Sequence, residues 1–140
     1  MHVVDTLIEK ITEYRIIQSD MFDQLDLESV LAMRDSTEFE VDWLRVYDIT
    51  KNQNNLSSEE KRKINLLRET TFKRVYEITA NPELSGYVSD DFGLIGSALF
   101  LNINDPWLNS LWQEYYLGNF PHTELKPLNG SLKELVLSSC

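Results

Sequence analysis

Catalysis by side chains needs a nucleophile, an acid and base pair, or a metal set held at fixed spacing, and each leaves a pattern in sequence. The two histidines, His2 and His122, stand far apart, and neither has a second metal ligand at helical spacing. No E-x-x-H or H-E-x-x-H pattern occurs, so the zincin and di-iron bundle signatures are missing. There is no G-x-S-x-G elbow, and the one cysteine, Cys140, is the last residue, where chains fray. Gly93-Leu-Ile-Gly96 lacks the preceding strand, third glycine and lysine of a phosphate cradle. Inside an apolar helical stripe its two glycines instead allow close helix packing. The carboxylate pairs Glu59-Glu60 and Asp90-Asp91 sit where helices are expected to start, and capping explains them without a pocket. No enzyme, metal or cofactor is expected.

The elements that carry these residues read as helices. Val4, Leu7, Ile8, Ile11, Tyr14, Met21, Phe22 and Leu25 recur at steps of three, four or seven, which predicts a long first helix over residues 3–24. Asp26 suits the N-cap of a short helix ending near Arg34. Thr37 with Glu40, and Ser57 with Glu60, match the capping box. The second opens a helix to about Thr79 whose buried face carries Ile64, Leu67, Thr71, Val75 and Ile78. The polar KNQNNLSS, residues 51–58, reads as a loop. Asn81-Pro82, Ser89-Asp90-Asp91 and Asp105-Pro106 each read as a helix start, and Gly118 followed by Pro121 as a stop. Trp107 and Trp112 lie on or beside the apolar stripe of the helix that Asp105-Pro106 opens, so core is their expected place. The chain is therefore expected to be all-α, a single domain over residues 1–140 with about five to seven helices. The alternative is α+β, with a small strand pair around residues 38–50 and the C-terminal tail: EFEVDW alternates like a half-buried strand, and residues 131–139 could be helix or strand.

Composition bounds the class. With 42% hydrophobic residues, 3 Trp, 6 Tyr and 6 Phe against 5 Gly and 4 Pro, the chain can bury a sizeable core and is not a disordered tail. The single cysteine rules out an internal disulfide and favours the cytoplasm. MHVVDTLIEKITEYRIIQSD mixes charges with its apolar residues, unlike a signal peptide. Residues 92–103, the most apolar stretch, fall short of the roughly 20 residues that span a bilayer, so no membrane association is expected.

Charge is the most informative feature. The net charge of −10 argues against direct nucleic-acid binding. Residues 1–60 carry 14 acids and 5 bases, residues 61–75 carry 1 acid and 6 bases, and residues 76–140 carry 8 acids and 2 bases. Within residues 20–48 nine acids meet only Arg34 and Arg45. A solvated face that keeps the protein soluble is one reading of that stretch. The other is a phosphate-like array for a basic partner, which would speed association and discourage wrong partners. Lys61, Arg62, Lys63, Arg68, Lys73 and Arg74 could instead be an internal counterweight packed against the acidic helices.

On the acidic stretch at 20–48 and the aromatic-rich segment SDDFGLIGSALFLNINDPWLNSLWQEYYLGNFP, together with size and helical content, the chain resembles bacterial immunity proteins that neutralise nuclease toxins. These include proteins of contact-dependent growth inhibition and of the colicin type. The resemblance implies binding and occlusion of a basic RNase or DNase toxin domain. Asp20, Asp23, Asp35, Glu38, Glu40, Asp42 and Asp48 would pair with the toxin's cations, and Trp43 would serve as an aromatic anchor. The chain would be a monomer or weak dimer. A different reading is a helical adaptor or regulatory subunit that takes a partner helix in a groove around Trp107 and Tyr116.

Overall fold

The computed structural model describes residues 2–53 and 55–138, and these form seven α-helices and no strand. The helices are α1 (Val3–Thr12), α2 (Leu27–Arg34), α3 (Thr37–Gln53), α4 (Ser58–Thr79), α5 (Pro82–Leu101), α6 (Pro106–Tyr116) and α7 (Leu132–Ser138). The strand alternative is overturned, since 38–50 and the tail are both helical. A helix absorbs the EFEVDW alternation by turning Phe39 into the core and Val41 out to solvent, where it is 59% exposed. Cys140 lies outside the described residues, as does Asn54 of the expected polar loop.

Helices α4 and α5 form the antiparallel centre. The Ser57 hydroxyl accepts from the Glu60 N–H while the Glu60 carboxylate accepts from the Ser57 N–H, so both ends of the capping box are made. Asn81 caps α5 through the Leu84 N–H, with Pro82 in the first turn. Gly93 and Gly96 face α4, where an added Cβ would lie 2.7 Å from Arg68 Cδ and 3.0 Å from Leu67 Cδ2 respectively. The two glycines thus do allow α4 and α5 to approach. Helix α6 starts as expected, with the Asp105 carboxylate accepting from the N–H groups of Trp107 and Leu108. It ends in a Schellman motif: Gly118, at φ 86°, donates to Tyr115 O, and Asn119 donates to Glu114 O. Among the described residues no helix is long and apolar enough to cross a membrane.

Four local expectations are corrected. The first helix stops at Thr12, not near residue 24, because Tyr14 and Ile17 take left-handed φ values of 60° and 56°. That turn carries Ile16, Ile17, Met21 and Phe22 into the core by a path a straight helix could not follow. Arg74 secures it, donating to Ile17 O at 3.0 Å and lying over the Tyr14 ring. Asp26 precedes α2, but its carboxylate accepts from the Ser29 hydroxyl and not from a backbone N–H. Thr37 lies within the first turn of α3, whose Glu40 N–H bonds Ser36 O, so the cap falls one residue earlier than the Thr37 reading placed it. Ser89-Asp90-Asp91 opens nothing, since α5 runs straight through it and buries Ser89 and Asp91.

The core runs continuously from α1 to α7. Lys10 is 4% exposed and donates from Nζ to Val136 O, placing its charge at the C-terminal turn of α7. His2 caps α1 through Nδ1 and stacks on Phe100 at 4.2 Å, a structural duty that accounts for one of the two histidines.

Candidate partner-binding surface

The α2–α3 corner is fixed by a buried ion pair. Arg34, in the last turn of α2, donates to Asp91 of α5 through Nη2 at 2.7 Å and Nη1 at 2.9 Å. The same carboxylate accepts from Trp43 Nε1 at 2.9 Å and from the Tyr115 hydroxyl at 2.5 Å. One acid thus ties α2, α3, α5 and α6 together, and Arg34 also reaches Pro121 O. The guanidinium lies over the rings of Phe39, Tyr87 and Phe120. Burial alone would depress the Arg34 pKa, but the charge and hydrogen bonds of Asp91 raise it above the ordinary value. Burial, then the neighbouring charge of Asp91, pushes the Tyr115 phenol well above its ordinary value.

This network changes what the charge pattern means. Of the two bases in residues 20–48, Arg34 is spent inside the molecule. Arg45 is held by Asp105 at 2.6 and 3.2 Å, with a longer contact to Asp42 at 3.4 Å. The basic run on α4 is not a counterweight to the acidic stretch. Arg62 pairs with Glu59, Lys63 with Asp5, Arg68 with Asp90, Lys73 with Glu69 and Arg74 with Glu77. All five acids lie outside residues 20–48, so the stretch shows solvent more negative charge per base than its composition suggests.

The eight residues read as a binding set do not share one face. Asp20 and Asp23 are exposed on a 3-10 turn, Ser19–Phe22, and its immediate end. Asp35 caps the end of α2, and the other five lie on α3. Helical geometry divides those five, because Phe39, Val46 and Thr50 bury one side. Glu38 and Asp42 flank a cleft of about 750 Å³ against residues 122–125. On the other flank Glu40 and Trp43 join Asp35, Tyr87 and Asp90 in a smaller cleft of about 190 Å³. Sharing Trp43, Leu44 and Asp90, that cleft continues into a groove of about 370 Å³ along α5. Asp48 is exposed and lines neither flank, and the same holds for Asp20 and Asp23.

Apolar side chains interleave with these acids. Met33, Val41, Leu44 and Tyr47 are each more than two-fifths exposed, and Trp43 stacks on Tyr47 at 5.5 Å between ring centres. The sequence reading missed these residues, although Val41 and Leu44 stand out of phase with the Phe39, Val46 and Thr50 stripe, and that was the available signal. It also missed the network of Arg34, Asp91 and Tyr115, for which the local pattern offers none. The adaptor groove around Trp107 and Tyr116 is not built: the two lie on opposite sides of α6, Trp107 buried and Tyr116 46% exposed.

An all-α chain that presents unneutralised carboxylates among exposed aliphatic and aromatic side chains has the surface of a protein that binds a macromolecular partner. The family model described as Immunity protein PIM1 matches residues 6–122, and the chain belongs to that family. Its role is accordingly that of an immunity protein, whose partner is a cognate toxin. No curated protein matches the chain.

Proposed function

We propose that this immunity protein neutralises a basic nuclease toxin, an RNase or DNase, in the cytoplasm, by laying the α2–α3 face over the toxin's substrate channel. The carrying observation is that both arginines of the acidic stretch are tied to Asp91 and Asp105, which leaves Asp35, Glu38, Glu40 and Asp48 exposed and without a cation from the stretch itself. Exposed carboxylates at short spacing meet the lysines and arginines that a nuclease uses for phosphates. Trp43, clamped by Asp91 and stacked on Tyr47, supplies a rigid aromatic contact beside them. Asp20 and Asp23 extend the negative field and act on the association rate rather than on the closed contact.

The test is titration of the cognate toxin domain with the protein and with the triple variant Asp35→Lys, Glu40→Lys, Asp48→Lys, alongside an assay of toxin activity on RNA and DNA. The variant should keep its helical spectrum and lose inhibition. Undiminished inhibition would place the binding face elsewhere, and a toxin without nuclease activity would remove the substrate-channel reading.

A further inference from the structure

The cleft between the start of α3 and residues 122–125 holds about 750 Å³. Its apolar lining includes Met33, Val41 and Trp107, and its acids are Glu38, Asp42 and Glu124. Met33 and Val41 are 47% and 59% exposed, a poor arrangement for a thioether and a branched aliphatic unless something covers them. Among the described residues the lining holds no lysine or arginine, and its one histidine, His122, has Nδ1 2.6 Å from Phe120 O. The chain's own Arg45 reaches Asp42 from outside, at 3.4 Å, and is anchored more tightly on Asp105.

Apolar walls with carboxylates at the rim suit one kind of side chain: a long aliphatic stem ending in a cation. Arginine fits better than lysine, since its planar, weakly hydrated guanidinium stacks on aromatic rings and engages carboxylates with paired donors. The same protein already uses this chemistry at Phe39, where Arg34 lies 4.3 Å from the ring centre and donates twice to Asp91.

We propose that this cleft is the anchor pocket of the immunity protein and takes an arginine from an exposed loop of the toxin, its stem on Met33 and Val41 and its guanidinium at Glu38 and Glu124. The inference rests on the occlusion reading above and adds to it a residue on the far flank of the cleft, Glu124.

The test compares three variants for toxin binding by calorimetry: Glu38→Gln with Glu124→Gln, which removes charge at constant shape; Thr123→Phe, which fills the cleft from an exposed position; and the Asp35, Glu40, Asp48 reversal, which leaves the cleft lining untouched. The first two should each weaken binding about 100-fold, the scale of a buried anchor. Single replacement of toxin arginines should then reveal one whose loss costs much less in the Glu38→Gln, Glu124→Gln background than in the native one. Binding that survives both cleft variants within about three-fold, yet falls with the reversal, would overturn the pocket and leave the acidic face standing. Binding unmoved by all three would overturn both. Weakening in which every toxin arginine stays additive with the cleft variant would exclude arginine as the occupant. Thermal melts separate these outcomes from unfolding.

Discussion

Arg34 and Asp91 stand 57 residues apart and meet with side chains 3% and 0% exposed, joined by two hydrogen bonds. A pair so far from water persists because most of its remaining polar demands are met: Asp91 also takes the Trp43 indole and the Tyr115 hydroxyl, and Arg34 has Pro121 O and three aromatic faces, with only its Nε left without a partner.

Breaking that pair from one side should be costly. Asp91→Asn leaves a buried guanidinium without its counter-charge and should lower unfolding free energy by about 3–5 kcal/mol. Arg34→Met combined with Asp91→Leu should recover only part of the loss, because Trp43 and Tyr115 then lack an acceptor. Urea denaturation measures both, and an Asp91→Asn protein within about 1 kcal/mol of the native one would contradict the account.

The pKa shifts set two pH limits. Tyr115 is raised in the folded state above the 10.0 of an ordinary phenol, so its contribution is intact below about pH 10 and is lost as pH rises beyond it. Asp105 is lowered from 3.8: burial pushes it up, but Arg45 and the N–H groups of Leu108 and Trp107 outweigh that. Its contribution is present above about pH 3.8 and is lost as pH falls from there toward the folded-state value. Denaturant midpoints across the alkaline range should fall less steeply for Tyr115→Phe than for the native protein. Equal slopes would argue against ionisation of that phenol as the cause.

The glycines of α5 should separate. Nothing lies within 4 Å of a Cβ added at Gly86, so Gly86→Ala should raise stability by about 0.5–1 kcal/mol through helix propensity. At Gly93 the new methyl meets Arg68 Cδ at 2.7 Å and Cγ at 3.1 Å, so the Arg68 stem, whose guanidinium is paired with Asp90, must shift to make room. Gly93→Ala should therefore melt at or below the native temperature, and an increase equal to that of Gly86→Ala would show that Arg68 shifts freely.

Toxin association should be salt-sensitive in rate more than in lifetime. If the exposed carboxylates steer the encounter as proposed, raising ionic strength from about 0.05 to 0.5 M should slow association by about ten-fold or more while changing dissociation far less. Stopped-flow mixing would measure it, and a flat association rate would mean that the acidic face plays no part in the encounter.

What could be read from the chain in advance was whatever is decided within one helical turn. Ser57 with Glu60, Asn81-Pro82, Asp105-Pro106 and Gly118 all act on backbone groups three or four residues away, and each placed a helix end correctly. Asp26 and Thr37 failed as caps within that same range, but the larger errors have a distant cause. Asp91 resembles a first-turn acid locally, and only a residue 57 positions earlier makes it a core group. The turn at Tyr14 and Ile17 uses left-handed backbone without glycine, held by Arg74 from α4, so no local residue announces it. The acidic stretch was legible as charge, but its division between two flanks of α3 depends on which side of that helix the core claims.

Lys10 turns the docking of α7 into something chemistry can read. Its ammonium lies beneath the C-terminal turn of that helix, whereas Lys51, Lys61 and Lys73 stand in solvent. An amine-acylating reagent applied under native conditions will mark those three quickly and reach Lys10 only during moments when α7 lifts away. The labelling rate at that single nitrogen is therefore a stopwatch for the opening of the last helix, independent of any partner.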